Sequence, residues 1–433
     1  MPLGVTLVAE LGLLSAPAAQ AAGTFVLDDL TNGVLGTSVL GSGDIWTDIS
    51  AYARSGSITR ASSRTQSPVV QYQPGTASLV LKNPDARFDP ENLAGPYTGA
   101  GVSQIRPMVP ARLRATWAGV TYPLWQGFAD SWQVSGQNLG PRYEEMTFAG
   151  TDALKVLSGI TIPAGGAVGA NEDTGARINR ILTAAGWYTD APKRVISAGD
   201  SLLQATTMGD TAMNLAQLAA DTELGELYVN ESGAAFFRNR QGVMTDTRSA
   251  TSQATFGDAG DGSELPYAAV GRADDDTQLC NDAQITRAGG TMQETTDAAS
   301  VAEFKFARTY PADGLLMTSD TEALQYAQFV VYVSAGGENR FDTLTINPQR
   351  DPVNLWPQAL GRRFGDRITV KRRPPGMGSA ISRDCFIRGI THDFDFAADT
   401  WVTTWTLQDA TRYSFLTLDN ATLGQLDANA LAY

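Results

Sequence analysis

ARLRATWAGVTYPLWQGFADSWQVSG, residues 111 to 136, places apolar and polar side chains in alternation between turn-forming residues, the period of a half-buried β-strand. SLVLKN (78 to 83) and YEEMTFAG (143 to 150) read the same way, and β-type runs fill residues 1 to about 150. Gly, Pro and Ser clusters punctuate them at short spacing, which predicts a barrel or a sandwich. Strands return near the other end in FDTLTINP, GDRITVKRR, DCFIRGITHDFDF and DTWVTTWTLQDA. In the last of these, Trp401, Thr403, Trp405 and Leu407 face one way and Val402, Thr404 and Thr406 the other, making Trp401, Trp405 and Leu407 candidates for a barrel core. The two ends repeat each other: PARLRATW, WQGFADSWQVS and YEEMTFAGTDAL are matched in order by DRITVKRR, FIRGITHDFDF and WVTTWTLQDATR. The repeat rests on pattern and order more than identity. It predicts an α+β, β-rich chain with two β-barrel domains of similar topology and α/β insertions between them. The expected boundaries are a first barrel over 1–150, an α/β domain over 151–255, a second barrel with a helical insertion over 256–415, and a tail over 416–433.

Between the barrels the period changes. DTGARINRILTAAGW has Ile178, Ile181, Leu182 and Ala185 at helical spacing, with Asp173 or Thr174 as N-cap and Gly186 as the stop. DTAMNLAQLAADTELG predicts a helix opening on Asp210 and closing on Gly225, followed by two strands joined at an Asn230 to Gly233 turn. Beyond a Gly/Asp-rich joint (256 to 267), NDAQITRAGG reads as a strand, and helices are expected around Ala298 to Ala307 and Thr321 to Val333, the second with a Ser319/Glu322 capping box.

With 433 residues the chain can bury large cores without staples. It carries 46 acidic against 32 basic residues, net -14, and its only basic run is Lys371, Arg372 and Arg373, a composition that argues against sequence-specific nucleic-acid binding. Cys280 and Cys385 lie in no CxxC or zinc-ligand spacing and read as reduced core thiols. The N-terminal MPLGVTLVAELGLLSAPAAQAAG resembles a secretory leader, but it lacks Lys and Arg, and Val5, Leu7, Ala9, Leu11 and Leu13 alternate with Thr6, Glu10 and Gly12, so a strand is expected. No apolar run reaches the length of a membrane span, so no membrane anchor is expected.

Catalytic motifs are absent: no HExxH, GxxxxGK[ST], GxSxG or strand-to-helix GxGxxG occurs. His392 is the only histidine, in a strand beside two aspartates, and reads as structural. Two acidic groups, Asp258, Asp261 and Glu264 and then Asp274, Asp275 and Asp276, fit no calcium loop and read as solvated, so no metal and no cofactor is expected. The densest stretch is RFDPENLAGPY, 87 to 97, in which Pro90 and Pro96 stiffen a loop holding Arg87, Phe88, Asp89, Asn92 and Tyr97. Asp89 and Glu91 could serve as a carboxylate pair for glycoside hydrolysis, and Trp117, Trp125, Trp132, Trp401 and Trp405 could line a sugar groove; the alternative is a bracing loop and core indoles.

The succession FVLDDLTNGVLG (25 to 36), WTDISAYARSGSITR (46 to 60), TASLVLKNPDARFDPEN (76 to 92), ELGELYVNESGAAFFRNR (223 to 240) and DDDTQLCNDAQITRAGG (274 to 290) resembles the minor tail proteins of long-tailed actinobacteriophages, specifically the tail-tip or baseplate hub. The resemblance covers nearly the whole chain. It implies a virion structural protein without enzymatic activity, made in the host cytoplasm. It further implies a homotrimer whose paired barrels form a pseudo-sixfold ring joining a sixfold distal tail ring to a threefold tip. Implied partners are the distal tail protein, the tape measure protein, tail fibres or other tip proteins, and DNA in transit during ejection. On this reading Phe88, Asp89, Pro90 and Tyr97 brace a loop or subunit contact, residues 416–433 form a docking tail or a disordered end, and the 371–373 cluster faces a protein neighbour or solvent. Two alternatives remain open: a secreted carbohydrate-active enzyme or lectin, and a distal tail or fibre-attachment protein of the same virion.

Overall fold

The computed structural model of the chain describes residues 4–13, 45–62, 69–99, 101–135, 144–189, 192–273, 275–336 and 340–410. FVLDDLTNGVLG, Asp274 and the 416–433 tail lie outside them.

Among the described residues the front of the chain gives seven strands to the main sheet: β1 (Val5–Leu13), β2 (Ile45–Asp48), β3 (Ala53–Ala61), β4 (Thr76–Lys82), β5 (Pro110–Trp117), β6 (Val120–Ser135) and β7 (Glu145–Thr151). They pair in the order β2-β1-β5-β6-β7-β4-β3. Only a short 3-10 turn separates β2 from β3, so the pairing path returns to its start through the two halves of one broken strand. The alternation read from the sequence is what fills the interior, because every second residue must point inward: Val5, Leu7, Ala9, Leu11 and Leu13 from β1 meet Ala111, Leu113 and Ala115 from β5. The N-terminal apolar run is thus a strand lying between β2 and β5.

The middle of the chain packs three helices, α1 (Ala153–Gly159), α2 (Thr174–Ala184) and α3 (Ala212–Glu223), against a small sheet of β8 (Arg194–Ile196), β9 (Glu226–Val229) and β10 (Ala235–Arg238). Asp173 caps α2 as expected, and Gly186 follows its end with φ +70°. α3 departs from expectation at both ends. Thr211, not Asp210, accepts the Asn214 N–H, and Leu224, not Gly225, takes the left-handed conformation. Leu224 is thereby strained, whereas Gly225 is free to lie against the Phe237 ring where a Cβ would clash at 2.5 Å.

The back of the chain repeats the front. Strands β11 (Thr255–Gly257), β12 (Leu265–Pro266) and β13 (Ala269–Ala273) precede an insertion of β14 (Asp282–Arg287), β15 (Gln293–Thr296), α4 (Ala298–Phe304), β16 (Thr309–Leu315) and α5 (Asp320–Ser334). The helix α4 stops earlier than its sequence pattern, at Lys305 with φ +73°, while α5 begins on the Ser319/Glu322 capping box. There follow β17 (Arg340–Ile346), α6 (Pro352–Gly361), β18 (Arg367–Arg372), β19 (Ile381–Asp395) and β20 (Thr400–Asp409). The back strands pair as β12-β11-β18-β19-β20-β17-β13, which is the front order, although β11 runs parallel to both its neighbours where β1 runs antiparallel to both of its own.

The correspondence extends to single residues. β6 carries a bulge at Asp130 against β7, and β19 carries one at Arg388 against β20. Aligning the bulges sets Phe128 on Phe386, Phe148 on Trp405, Leu79 on Leu344 and Thr151-Asp152-Ala153 on Gln408-Asp409-Ala410. In each barrel the bulged side chain bonds the same neighbour: Thr151 Oγ1 donates to Asp130 Oδ2 at 2.5 Å, and Arg388 Nε donates to Gln408 Oε1 at 2.6 Å.

Trp405 and Leu407 lie in the back-barrel core, Trp405 edge-on to Phe256 at 5.3 Å between ring centres. Trp401 does not join them. It packs with Phe394 and Trp356 into the front-barrel core, because the β19–β20 hairpin runs on past its own barrel to lie beside β3. Replacing Trp405 by Ala is expected to lower the unfolding free energy by about 3–5 kcal/mol in denaturant titration. Trp405→Phe should cost much less, since the buried indole N–H has no partner to lose.

Candidate functional site: the seam between the barrels

RFDPENLAGPY is held from within. Phe88 is fully buried, its N–H donating to Asn83 Oδ1 at 3.0 Å, and its ring stacks on Tyr97 at 5.5 Å and on Trp132 at 6.2 Å. Arg87 lies over the Tyr52 ring at 4.1 Å and bonds Asp85. Asn92 Nδ2 donates to the Ala86 carbonyl at 2.9 Å, across a turn in which Ala86 has φ +53°. Asp89 Oδ1 accepts the Glu91 N–H at 2.8 Å, an Asx turn that ties the carboxylate to its own loop. Pro90 and Pro96 are exposed, as is Leu93. The five tryptophans offered as a sugar groove do not line one: Trp125, Trp401 and Trp405 are fully buried, and Trp117 stacks on Trp356 at 5.7 Å.

His392 is buried in the β19 strand with Nδ1 3.0 Å from Thr403 Oγ1, and burial drives its pKa down to about 3, so the ring is neutral throughout the physiological range. Its hydrogen-bond partner is a hydroxyl, not the carboxylate of a catalytic triad. Of the described residues in the two acidic groups, Asp261 accepts from Ser263 in its own turn and the others pair with arginines. Glu264 and Asp258 bond Arg373, with Lys371 3.4 Å from Glu264, and Asp275 grips Arg340 through both oxygens at 2.9 and 3.0 Å. The basic run 371–373 is therefore partly neutralised within its own barrel. Cys280 and Cys385 are free and buried, and burial pushes both thiols up.

The concentration of charge lies where the three parts of the chain meet. Arg388 of β19, Glu226 of β9 and Arg238 of β10 are all buried, and both guanidiniums bond the one carboxylate; Tyr72, from the segment after β3, sits 3.2 Å from Arg388 Nη1. Burial alone would raise the Glu226 carboxyl, but Arg238 and Arg388 outweigh it and hold the group below the usual range. A second set repeats the device: Arg60 of β3 and Arg363 after α6 reach Glu231, in the β9–β10 turn, at 3.4 and 2.8 Å. A cavity of about 320 Å3 opens beside both sets, lined by Tyr228, Glu231, Arg238, Arg248 and Phe364. Among the described residues no group of three or more His, Cys, Asp or Glu side chains is placed to hold a metal ion.

No motif or spacing in the sequence marks Arg60, Glu226, Glu231, Arg238 or Arg388. A signal was present, since a lone charge inside an apolar strand such as ELYV or CFIRGI has to be paired if the strand is buried. Arg238 is only 12 residues from Glu226, but Arg388 is 162 away, and that meeting is a property of the fold.

No family model matches the chain, and neither does any curated protein. Solved structures do. The 43 kDa tail protein of prophage MuSo2 from Shewanella oneidensis covers 94% of this chain and 98% of its own, with a TM-score of 0.54 at 15% identity. The tail protein from Neisseria meningitidis MC58 covers 94% of this chain and 97% of its own, with a TM-score of 0.59 at 10% identity. The chain has the fold of these two tail proteins over nearly its whole length.

Glu226→Gln would leave two buried arginines facing a neutral group and is expected to cost about 3–5 kcal/mol in denaturant titration. Arg308→Ala, which breaks an ion pair half exposed on both sides, should cost less than about 1 kcal/mol. Asp152, which caps α1, has its carboxyl pushed up to about 7 by burial against the opposing pull of the Gly75 and Leu154 N–H groups. The folded chain then holds a proton that the unfolded chain has released, so the contribution of Asp152 is full below about pH 4 and is lost as pH rises through about 7. The stability difference between wild type and Asp152→Asn should shrink over that window.

Proposed function

We propose that the chain is a structural component of a phage tail, the hub of the tail tip or baseplate, assembled as a homotrimer around a central channel. The duplicated barrel carries this reading. A chain with two like barrels, taken three at a time, presents six like surfaces, which is what a part standing between a sixfold ring and a threefold tip requires. The solved structures that share the fold are tail proteins by name, which supports the same class of role. The sequence resemblance supplies the finer terms: an actinobacterial host, a distal tail ring and other tip proteins as neighbours, and the tape measure protein and DNA as cargo. A net charge of -14 suits a conduit, since a cationic lining would grip a duplex that carries one negative charge per ~1.7 Å.

A role without catalysis is supported by the neutral, hydroxyl-paired His392 and by an Asp89 carboxylate spent on its own turn. The carbohydrate reading loses its groove, because the indoles that would form it are core. Native mass spectrometry of the purified chain should give three copies, and class averages should show a ring of six similar lobes with an open centre. A monomer or a twofold dimer at micromolar concentration would contradict the proposal.

A further inference from the structure

Inside one chain the two barrels are joined by strand pairing. Residues 381–386 of β19 pair with β18, its own barrel's strand, and residues 389–395 along the same side pair antiparallel with β3 of the front barrel. β6 is the front counterpart of β19 and is built alike. Residues 120–128 pair with β5, and beyond the bulge residues 131–135 pair with β7 on one side only. Among the described residues no strand lies along their other side. β13 is the back counterpart of β3. It pairs with β17 as β3 pairs with β4, and among the described residues no strand occupies its second side, where β3 has β19. Among the described residues, one chain therefore carries a complete junction between its barrels and, in β6 and β13, the two halves of the same junction.

We propose that β13 of one chain pairs with residues 131–135 of β6 in a second copy, reproducing between chains the β3–β19 junction seen within one. The registers define the alignment. Gly56 and Val270 lie opposite the equivalent residues Leu79 and Leu344, so Ser57 and Ile58 correspond to Gly271 and Arg272; the bulges set Val134 on His392 and Ser135 on Asp393. Since Ile58 faces His392 and Ser57 faces Asp393, Arg272 faces Val134 and Gly271 faces Ser135 in the antiparallel pair.

Exposure agrees with a missing neighbour. His392, covered by β3, is 2% exposed, whereas Val134 at the equivalent place is 36% exposed. Between β17 and β18 the back barrel carries α6, which buries Trp356 against Trp117 of the front barrel across the junction. The front barrel has at that place the segment 83–109, which includes RFDPENLAGPY and leaves Leu93, Val102 and Met108 exposed at 60, 58 and 49%. The loop's outer side would then meet the back barrel of the next copy, as α6 meets the front barrel of its own chain. The two edges are different surfaces, so the contact is head-to-tail and generates a ring or a filament; closure after three copies rests on the hub reading, the pairing itself does not.

The test is disulfide trapping. Opposed residues in an antiparallel pair have Cα atoms about 4.5–5.5 Å apart, within disulfide reach, and the native cysteines are buried. The double variant Val134→Cys/Arg272→Cys should cross-link on mild oxidation into covalent closed oligomers. An equal mixture of the two single variants should give covalent dimers, and neither single variant alone should. Val134→Cys with Ala269→Cys, three residues out of register or about 10 Å, should cross-link poorly. Dimers from Val134→Cys alone would show a twofold contact and overturn the proposal, as would an oligomer in which the opposed pair does not cross-link, or a chain that stays monomeric. A three-copy assembly without the cross-link would leave the hub reading standing, and a cross-linked ring of another size would remove that reading and keep the strand pairing.

Discussion

A β-strand has two hydrogen-bonding edges, and in this protein one edge of β19 is divided between two barrels. Its first half pairs with β18 and its second with β3, with the Arg388 bulge marking the change on the opposite ladder. The rest of the arrangement follows from that division. The β19–β20 hairpin must project beyond its own barrel, so Phe394 and Trp401 become part of the front core, and α6 is drawn into the gap with Trp356 against Trp117 and Trp401. Because the front barrel repeats the same plan, its β6 runs past the Asp130 bulge in the same way, and among the described residues no strand pairs with the far side of residues 131–135.

Packing and charge together attach the middle domain: Tyr228 and Phe236 join the back-barrel cluster beside Tyr72 and Phe364, and the buried ion sets add polar contacts. Glu226 and Glu231, on the β9–β10 hairpin, each take one arginine from a barrel strand, Arg388 from the back and Arg60 from the front. Such groups add little net stability relative to apolar packing, yet a mismatched arrangement would strand a buried charge, so they select one docking geometry over others.

The sequence displayed the strands through period two, the helix α2 through its Asp173 cap, α5 through its capping box, and the duplication through the order of its β-runs. These are local signals. α6 carries no such local signal: Pro352 suits a first helical turn, but Pro357 lies inside the helix, where proline ordinarily breaks one. Trp401 and Trp405 share a strand face yet enter different cores, because alternation tells which residues share a face and not which barrel that face will meet. The ion sets join residues more than 150 positions apart and were beyond reach for the same reason. RFDPENLAGPY looked like chemistry because aromatic, acidic and proline residues crowd there. Its Phe88 and Asp89 turn inward to the loop's own packing and turns, and its outer side is apolar.

Whether the junction inside the chain is repeated between chains is decided by a cryo-EM reconstruction of the assembled protein at a resolution that separates strands. A threefold ring of six barrels is expected, in which β3–β19 and β13–β6 junctions alternate in the same antiparallel register. A ring whose chains meet through other surfaces, with the outer sides of β13 and β6 open to solvent, would contradict it.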